Sequence, residues 1–186
     1  MPPPRFADTL RAAAVVRMRD YDYFVHPITD GIPAVEPELL QEVLDAMQAH
    51  LPKDFDLILA PEAMGLPLAT GLSLATGRPF LVARKRAYGL PGEIIIDQTT
   101  GYGSAKLHVV GLTQGQRVVI IDDVISTGGT IRALAEACRR AGARLLKVVA
   151  AINKSHDVEA LGRAVGAPVV AVRRVRVTDG KVVVEA

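Results

Sequence analysis

Two adjacent carboxylates, Asp122 and Asp123, close the apolar run Val118-Val119-Ile120-Ile121, and Ser126-Thr127-Gly128-Gly129-Thr130 follows two residues later. The apolar run predicts a buried strand, and the residues after Thr130 have the spacing of a helix. Backbone N–H groups at a helix start, with the positive end of its dipole, attract phosphate. Gly128 and Gly129 let the backbone approach an anion with no Cβ in the way, while Ser126, Thr127 and Thr130 add hydroxyl donors. The two acids can each accept a hydrogen bond from neighbouring hydroxyls, and a bond to a charged acceptor contributes roughly 1.5–3 kcal/mol. A ribose 2′,3′-diol, one sugar's length from its own 5′-phosphate, meets both halves of this demand. The plainer alternative is a strand–loop–helix connection in which an acid or Thr127 caps the helix. That accounts for one polar residue and not for the run. No G-x-x-x-x-G-K-[ST] occurs, and no G-x-G-x-x-G follows a strand.

Three further stretches have chemical potential. Pro61-Glu62-Ala63-Met64-Gly65 lies between an apolar run and a small-residue helix, so Ala63, Met64 and Gly65 can offer amides to a second anion, although the same residues also suit an ordinary turn. Arg84-Lys85-Arg86 follows another apolar run and reads either as an anion contact or as a solvated charge run. Lys154 ends the strand expected over 145–153, at a carboxyl end where ligands gather; a solvated lysine is the alternative. His26, His50, His108 and His156 show no metal spacing, and Cys138 falls on the apolar face of a helix.

The elements that must position these groups alternate. Leu39, Leu40, Val43, Leu44, Met47 and Leu51 recur at helical spacing over 36–51, with Pro37 in the first turn and Pro52 as the stop. Strands are expected over 56–60, 80–83, 106–110, 117–123, 145–152, 169–172 and 175–178. Helices are expected up to Gly77, from Thr130 to Gly142, and over 158–165, with a terminal hairpin turning at Asp179-Gly180. Residues 1–35 are rich in proline and turn formers and read as a structured loop; 84–105 reads as a mobile arm with some strand pairing around Ile94–Ile96. Apolar strands alternating with helices imply an α/β fold with a mainly parallel central sheet flanked by helices. Ligands of such sheets bind at the carboxyl ends of the strands, near a topological switch point.

The length of 186 residues, 49% apolar and 23% charged, suits one domain with a real core. Net charge of +2 from 22 basic and 20 acidic residues gives no global field toward nucleic acid or membrane. A single cysteine, no leader-like apolar core and no run near the ~20 residues of a membrane span make the cytoplasm the expected address.

Val118 to Thr130 resembles the PRPP-binding motif of the type I phosphoribosyltransferases, where PRPP is 5-phosphoribosyl-1-diphosphate. The resemblance extends through 23–33, 62–65 and 84–92, and is closest in appearance to the archaeal-type hypoxanthine/guanine enzymes and their adenine-using relatives. It implies the type I phosphoribosyltransferase fold as one domain over 1–186, with a small N-terminal hood (1–35) and a flexible lid arm (84–105). It implies that Asp122 and Asp123 hold the ribose hydroxyls and that Ile125, Ser126, Thr127, Gly128, Gly129 and Thr130 hold the 5′-phosphate. Pyrophosphate falls to Ala63, Met64, Gly65, Arg84 and Lys85, with Lys85 also catalytic, and the purine to Phe24, Val25, His26 and Lys154. The implied activity is Mg²⁺-dependent purine salvage, with the cation carried on PRPP and no direct protein cage, giving IMP or GMP plus pyrophosphate. Adenine phosphoribosyltransferase, giving AMP, is the near alternative, and a catalytically silent PRPP-binding regulator the distant one. A homodimer follows from the same resemblance.

Two departures stand out. Where 6-oxopurine relatives carry an acid in the loop, this chain has Ser126; where adenine enzymes place a glutamate before Tyr-Gly, Gly101 precedes Tyr102-Gly103. Glu93 and Asp97 are the fallback acids in the arm.

Overall fold

The computed structural model describes residues 5–18, 21–100, 103–154 and 157–185. The N-terminal segment, expected as a loop, is instead built of elements: α1 (Arg5–Arg11), a hairpin of β1 (Ala14–Met18) and β2 (Tyr21–Val25), and the short α2 (Pro27–Asp30). Its prolines mislead on this point, because Pro27 occupies a first-turn position where proline's fixed φ favours the helix. Helix α3 (Pro37–Gln48) follows, then β3 (Leu57–Pro61), α4 (Gly65–Thr76) and β4 (Phe80–Ala83).

The next strands, β5 (Ile94–Thr100) and β6 (Gly103–Val109), form an antiparallel hairpin of their own, longer than the pairing expected around Ile94–Ile96. Strand β7 (Arg117–Ile125) runs two residues past Asp123 before α5 (Gly129–Ala141) begins. After β8 (Arg144–Asn153) and α6 (Val158–Val165), β9 (Val169–Thr178) is one continuous strand where two were expected. Arg173 and Arg174 interrupt the apolar pattern without breaking the strand, since Arg174 pairs with Glu185 of β10 (Lys181–Glu185) at 2.8 Å.

Six strands make the central sheet in the order β10-β9-β8-β7-β3-β4, parallel throughout except for β10. Side chains alternate across it as strand geometry requires. Ile58, Ala60, Val119, Ile121, Val149 and Ala151 join one core with α1, α3 and α4. Leu57, Leu59, Val118, Ile120, Val148 and Ala150 join the other, with Ile131, Leu134 and Cys138 of α5, Leu161 of α6, and Ile96 and Leu107 of the hairpin. With both faces covered, the strands read as unbroken apolar runs, which is why they were legible.

The chain winds from β3 outward to β4, then crosses back to place β7 on the other side of β3. The loops leaving β3 and β7 therefore splay apart between neighbouring strands, the arrangement that opens a crevice at the carboxyl ends of a sheet.

Candidate active site

Both loops at this switch point lead into helices whose N-cap residues, Met64 for α4 and Gly128 for α5, make no side-chain cap bond, and in α5 only the Gly129 amide reaches a hydroxyl, that of Thr127 at a long 3.4 Å, among the described residues. Uncapped first-turn amides suit an anion. Gly128 has φ 76°, in the left-handed region, and a Cβ there would lie 2.7 Å from Arg132 Nη1 and 2.9 Å from Leu161 Cδ1. Arg132 donates to the Thr127 carbonyl at 3.1 Å, which braces the loop from its far side. The Thr130 hydroxyl accepts from Gln98 Nε2 at 2.7 Å, tying the β5–β6 hairpin to the same loop. Ile125 contributes backbone only, since its side chain is core.

Asp122 is buried, and its Oδ1 accepts from the Asp123 amide at 3.0 Å. Burial pushes the Asp122 carboxyl up to about 6. Burial also raises Asp123, reinforced by the charge of Asp122 and by that of Asp30. Such a pair is unfavourable when doubly ionised and gains from any ligand that supplies hydroxyl donors or positive charge. The second loop meets this pair directly: a Cβ on Gly65 would stand 3.3 Å from the Ile121 carbonyl and 3.5 Å from Asp122 Oδ1. A side chain there would press on Pro61 and on β7, so glycine suits the close start of α4. Beside it, Ala63 is exposed and Met64 half-buried.

Glu62 organises the cations that follow β4. Its carboxylate accepts from the Lys85 amide at 2.9 Å and lies 3.4 Å from Arg84 Nη1. The Arg84 and Arg86 guanidiniums stand 6.0 and 5.8 Å from the Tyr88 ring. Of the fallback acids, Glu93 is committed elsewhere, which corrects the expectation for it. It accepts from the Tyr88 and Gly89 amides, both at 2.9 Å, and faces His108 Nδ1 at 3.4 Å; these contacts hold its carboxyl below the usual range. Asp97 is exposed, opposite Lys106 in the hairpin register. Gly101, Tyr102 and His156 lie outside the described residues.

The third part of the site is a small cavity of about 100 Å³ lined by Tyr23, Phe24, Thr29, Val124, Ser126 and Lys154. It joins the hood to the phosphate loop. The Lys154 amide donates to the Ile125 carbonyl at 2.7 Å, so the lysine stem starts beside that loop. Its ammonium stands 4.4, 4.8 and 5.5 Å from the ring centroids of Tyr21, Phe24 and Tyr23. Val25 is half-buried in β2 and is not part of the lining.

His26 requires a correction. Its ring is fully buried, Nδ1 accepts from the Ile28 amide at 3.2 Å to cap α2, and Nε2 lies 3.0 Å from Thr9 Oγ1. Burial lowers it to about 4, and the internal ring organises the hood from outside the lining of the cavity. Sequence reasoning missed Asp30, whose carboxylate gathers the Tyr23 hydroxyl at 2.5 Å, the Thr29 hydroxyl at 2.6 Å and the His26 amide at 3.0 Å. The available signal was the Thr-Asp-Gly turn, where an aspartate commonly folds back on local donors.

An acid pair at a strand end, two uncapped loops meeting across a switch point and an ammonium at a small aromatic cavity are now in place. The phosphoribosyl transferase domain profile matches residues 36–162. The chain belongs to the phosphoribosyltransferase family. Among curated phosphoribosyltransferases it is 47% identical to the hypoxanthine/guanine phosphoribosyltransferase of Methanosalsum zhilinae over 178 residues, covering 96% of this chain and 93% of the relative. It is 45% identical over 181 residues to the protein of the same name from Methanothermobacter thermautotrophicus, covering 97% and 94%. Among solved phosphoribosyltransferases, the adenine phosphoribosyltransferase of Saccharomyces cerevisiae, complexed with adenine and an imino-altritol bisphosphate, matches with a TM-score of 0.71 at 27% identity, covering 90% of this chain and 98% of that one.

Proposed function

We propose that this phosphoribosyltransferase transfers the 5-phosphoribosyl group of PRPP to hypoxanthine or guanine, giving IMP or GMP and pyrophosphate in purine salvage. The observation that carries the choice of base is Lys154 on the wall of the cavity beside the phosphate loop. An ammonium has donors only: it complements the exocyclic oxygen of a 6-oxopurine and opposes the amino group of adenine. A site built on such a donor discriminates strongly, because the wrong base leaves a polar group unpaired. The names of the archaeal relatives agree with this choice.

In this reading Asp122 and Asp123 accept the ribose hydroxyls, and the amides and hydroxyls of 125–130 hold the 5′-phosphate. The amides of Ala63, Met64 and Gly65 take the diphosphate together with Arg84 and Lys85. Phe24 walls the base. Mg²⁺ would be carried on the diphosphate with several of its own waters and without a direct protein cage, and Asp122 and Asp123, beside the ribose, would supply the negative charge that favours it there. When bound, it neutralises charge on the leaving group. The C1′–O bond breaks, its electron pair leaving with pyrophosphate, as the purine nitrogen bonds C1′ and gives up its proton to water, and the rate comes from positioning and from donors aimed at the departing charge. Residues 1–186 act as one domain, in the cytoplasm and as a homodimer.

The test is pyrophosphate release by the purified protein with PRPP and Mg²⁺, with hypoxanthine, guanine, adenine and xanthine offered separately. Release with hypoxanthine or guanine is expected. Release with adenine alone refutes the assignment of Lys154, and PRPP binding without release from any base leaves the silent regulator.

A further inference from the structure

We infer that Tyr21 is a positioning residue for base specificity, acting through Lys154. The inference rests on the reading of Lys154 as the donor to the exocyclic oxygen. Three rings from one strand, β2, surround the Lys154 ammonium, and Tyr21 is the nearest at 4.4 Å. A cation over an aromatic face is held by the ring quadrupole, by about 0.5–1 kcal/mol when exposed and about 2 kcal/mol or more when desolvated. A lysine has about 2 kcal/mol of rotamer entropy to lose when it is fixed, so an unsupported ammonium would spread over many positions. The backbone hydrogen bond to Ile125 fixes where the stem begins, and the rings fix where the charge ends.

Tyr23 and Phe24 also line the cavity, so changing them alters the packing of the base itself. Tyr21 is outside that lining and 36% exposed, so its influence on the base passes through the ammonium. A donor held in place before the base arrives favours an acceptor at that spot and disfavours a second donor; a loose donor swings into water and discriminates less. Tyr21 thereby makes the hood hairpin part of the selection between 6-oxo and 6-amino purines, and does so without touching PRPP.

The experiment is a double-mutant cycle on the whole chain, read as KM for hypoxanthine with KM for PRPP as the internal control. Tyr21→Leu is expected to raise the hypoxanthine KM roughly tenfold, within the about two- to thirtyfold span of such contacts, and to leave the PRPP KM unchanged. Tyr21→Phe, which keeps the ring face, stays within about twofold of the parent, a change below the weakest such contact. Pentafluorophenylalanine at position 21 keeps the shape and removes the negative face, so it behaves like Tyr21→Leu and separates charge from packing. In a Lys154→Met background, Tyr21→Leu has no further effect. If Lys154→Met leaves the hypoxanthine KM intact, the donor reading itself fails and the inference goes with it. If Lys154→Met raises KM but Tyr21→Leu does not, or raises it equally in both backgrounds, the inference alone is overturned.

Discussion

Replacing Asp122 by Asn should stabilise the fold at the pH where the protein works, and the reason lies in where this carboxyl sits. Asp122 is 4% exposed, and burial raises it from 3.8 to about 6. At pH 8 the folded chain holds an ionised group in a place that disfavours its charge. At 1.36 kcal/mol per pH unit, the interval from 3.8 to about 6 costs the fold about 3 kcal/mol. The sign follows from proton counts: between these values the folded state binds more protons than the unfolded one, so stability falls as pH rises through the window. Asparagine keeps an oxygen for the Asp123 amide, now bonded at 3.0 Å, and removes the charge. The gain should be about 3 kcal/mol at pH 8, about half of that at pH 5, and negligible well below the unfolded value of 3.8. For a chain of this size, 3 kcal/mol corresponds to a midpoint higher by roughly 6–12 °C. Denaturant or thermal unfolding of both proteins at pH 8 and pH 5 measures it, with PRPP turnover followed in parallel. A variant no more stable at pH 8 than the parent, or equally stabilised at both pH values, refutes the reasoning. Loss of turnover alongside gained stability would show the acid pair retained at a cost to the fold.

Gly128→Ala forces a left-handed φ onto a residue with a Cβ and crowds Arg132 and Leu161, so unfolding should come about 1–3 kcal/mol sooner and the PRPP KM should rise; an unchanged midpoint would dismiss the strain. His26 contributes stability that is complete above 6.5 and lost as pH falls toward about 4, and His26→Asn, which can still cap α2, should flatten that acid limb of the stability profile. Glu62→Gln weakens the hold on Arg84 and on the Lys85 amide; a higher KM for PRPP with little change in Tm is expected, and calorimetry with PRPP checks it.

Much of this was legible because the sheet is buried on both faces. The runs 118–121 and 148–152 can only be strands covered by helices, and the acid pair and loop follow in unbroken sequence. Glycines at 77 and 142 closed their helices as expected, since each adopts the left-handed conformation that ends a helix. What was hidden depends on contacts far apart in the chain. The expected loop over 1–35 is helical and hairpin structure because Phe6, Leu10, Phe24 and Ile28 bury against the sheet, a fact about the partner surface that local turn formers outvoted. His26 looked available beside an aromatic pair, and only its two internal hydrogen bonds reveal otherwise. Lys154 was located by its strand end, but the rings around it come from β2, some 130 residues earlier in the sequence.

The hydrogen bond from the Lys154 amide to the Ile125 carbonyl continues the pairing of β8 with β7 past the end of the strand. In the proposed function, PRPP is held by 61–65, Arg84, Lys85 and 122–130, and the base is chosen at the hood and at one lysine just beyond β8. A single residue inserted or deleted within β8 would carry Lys154 about 3.3 Å along its strand and turn it to the opposite face, and because β8 pairs with β7 through Asp122 with Ala150 and Ile125 with Asn153, the same slip would disturb the acid pair and the loop after it. The lysine and the acid pair are therefore locked to one strand register, and neither can be moved along the sheet without the other.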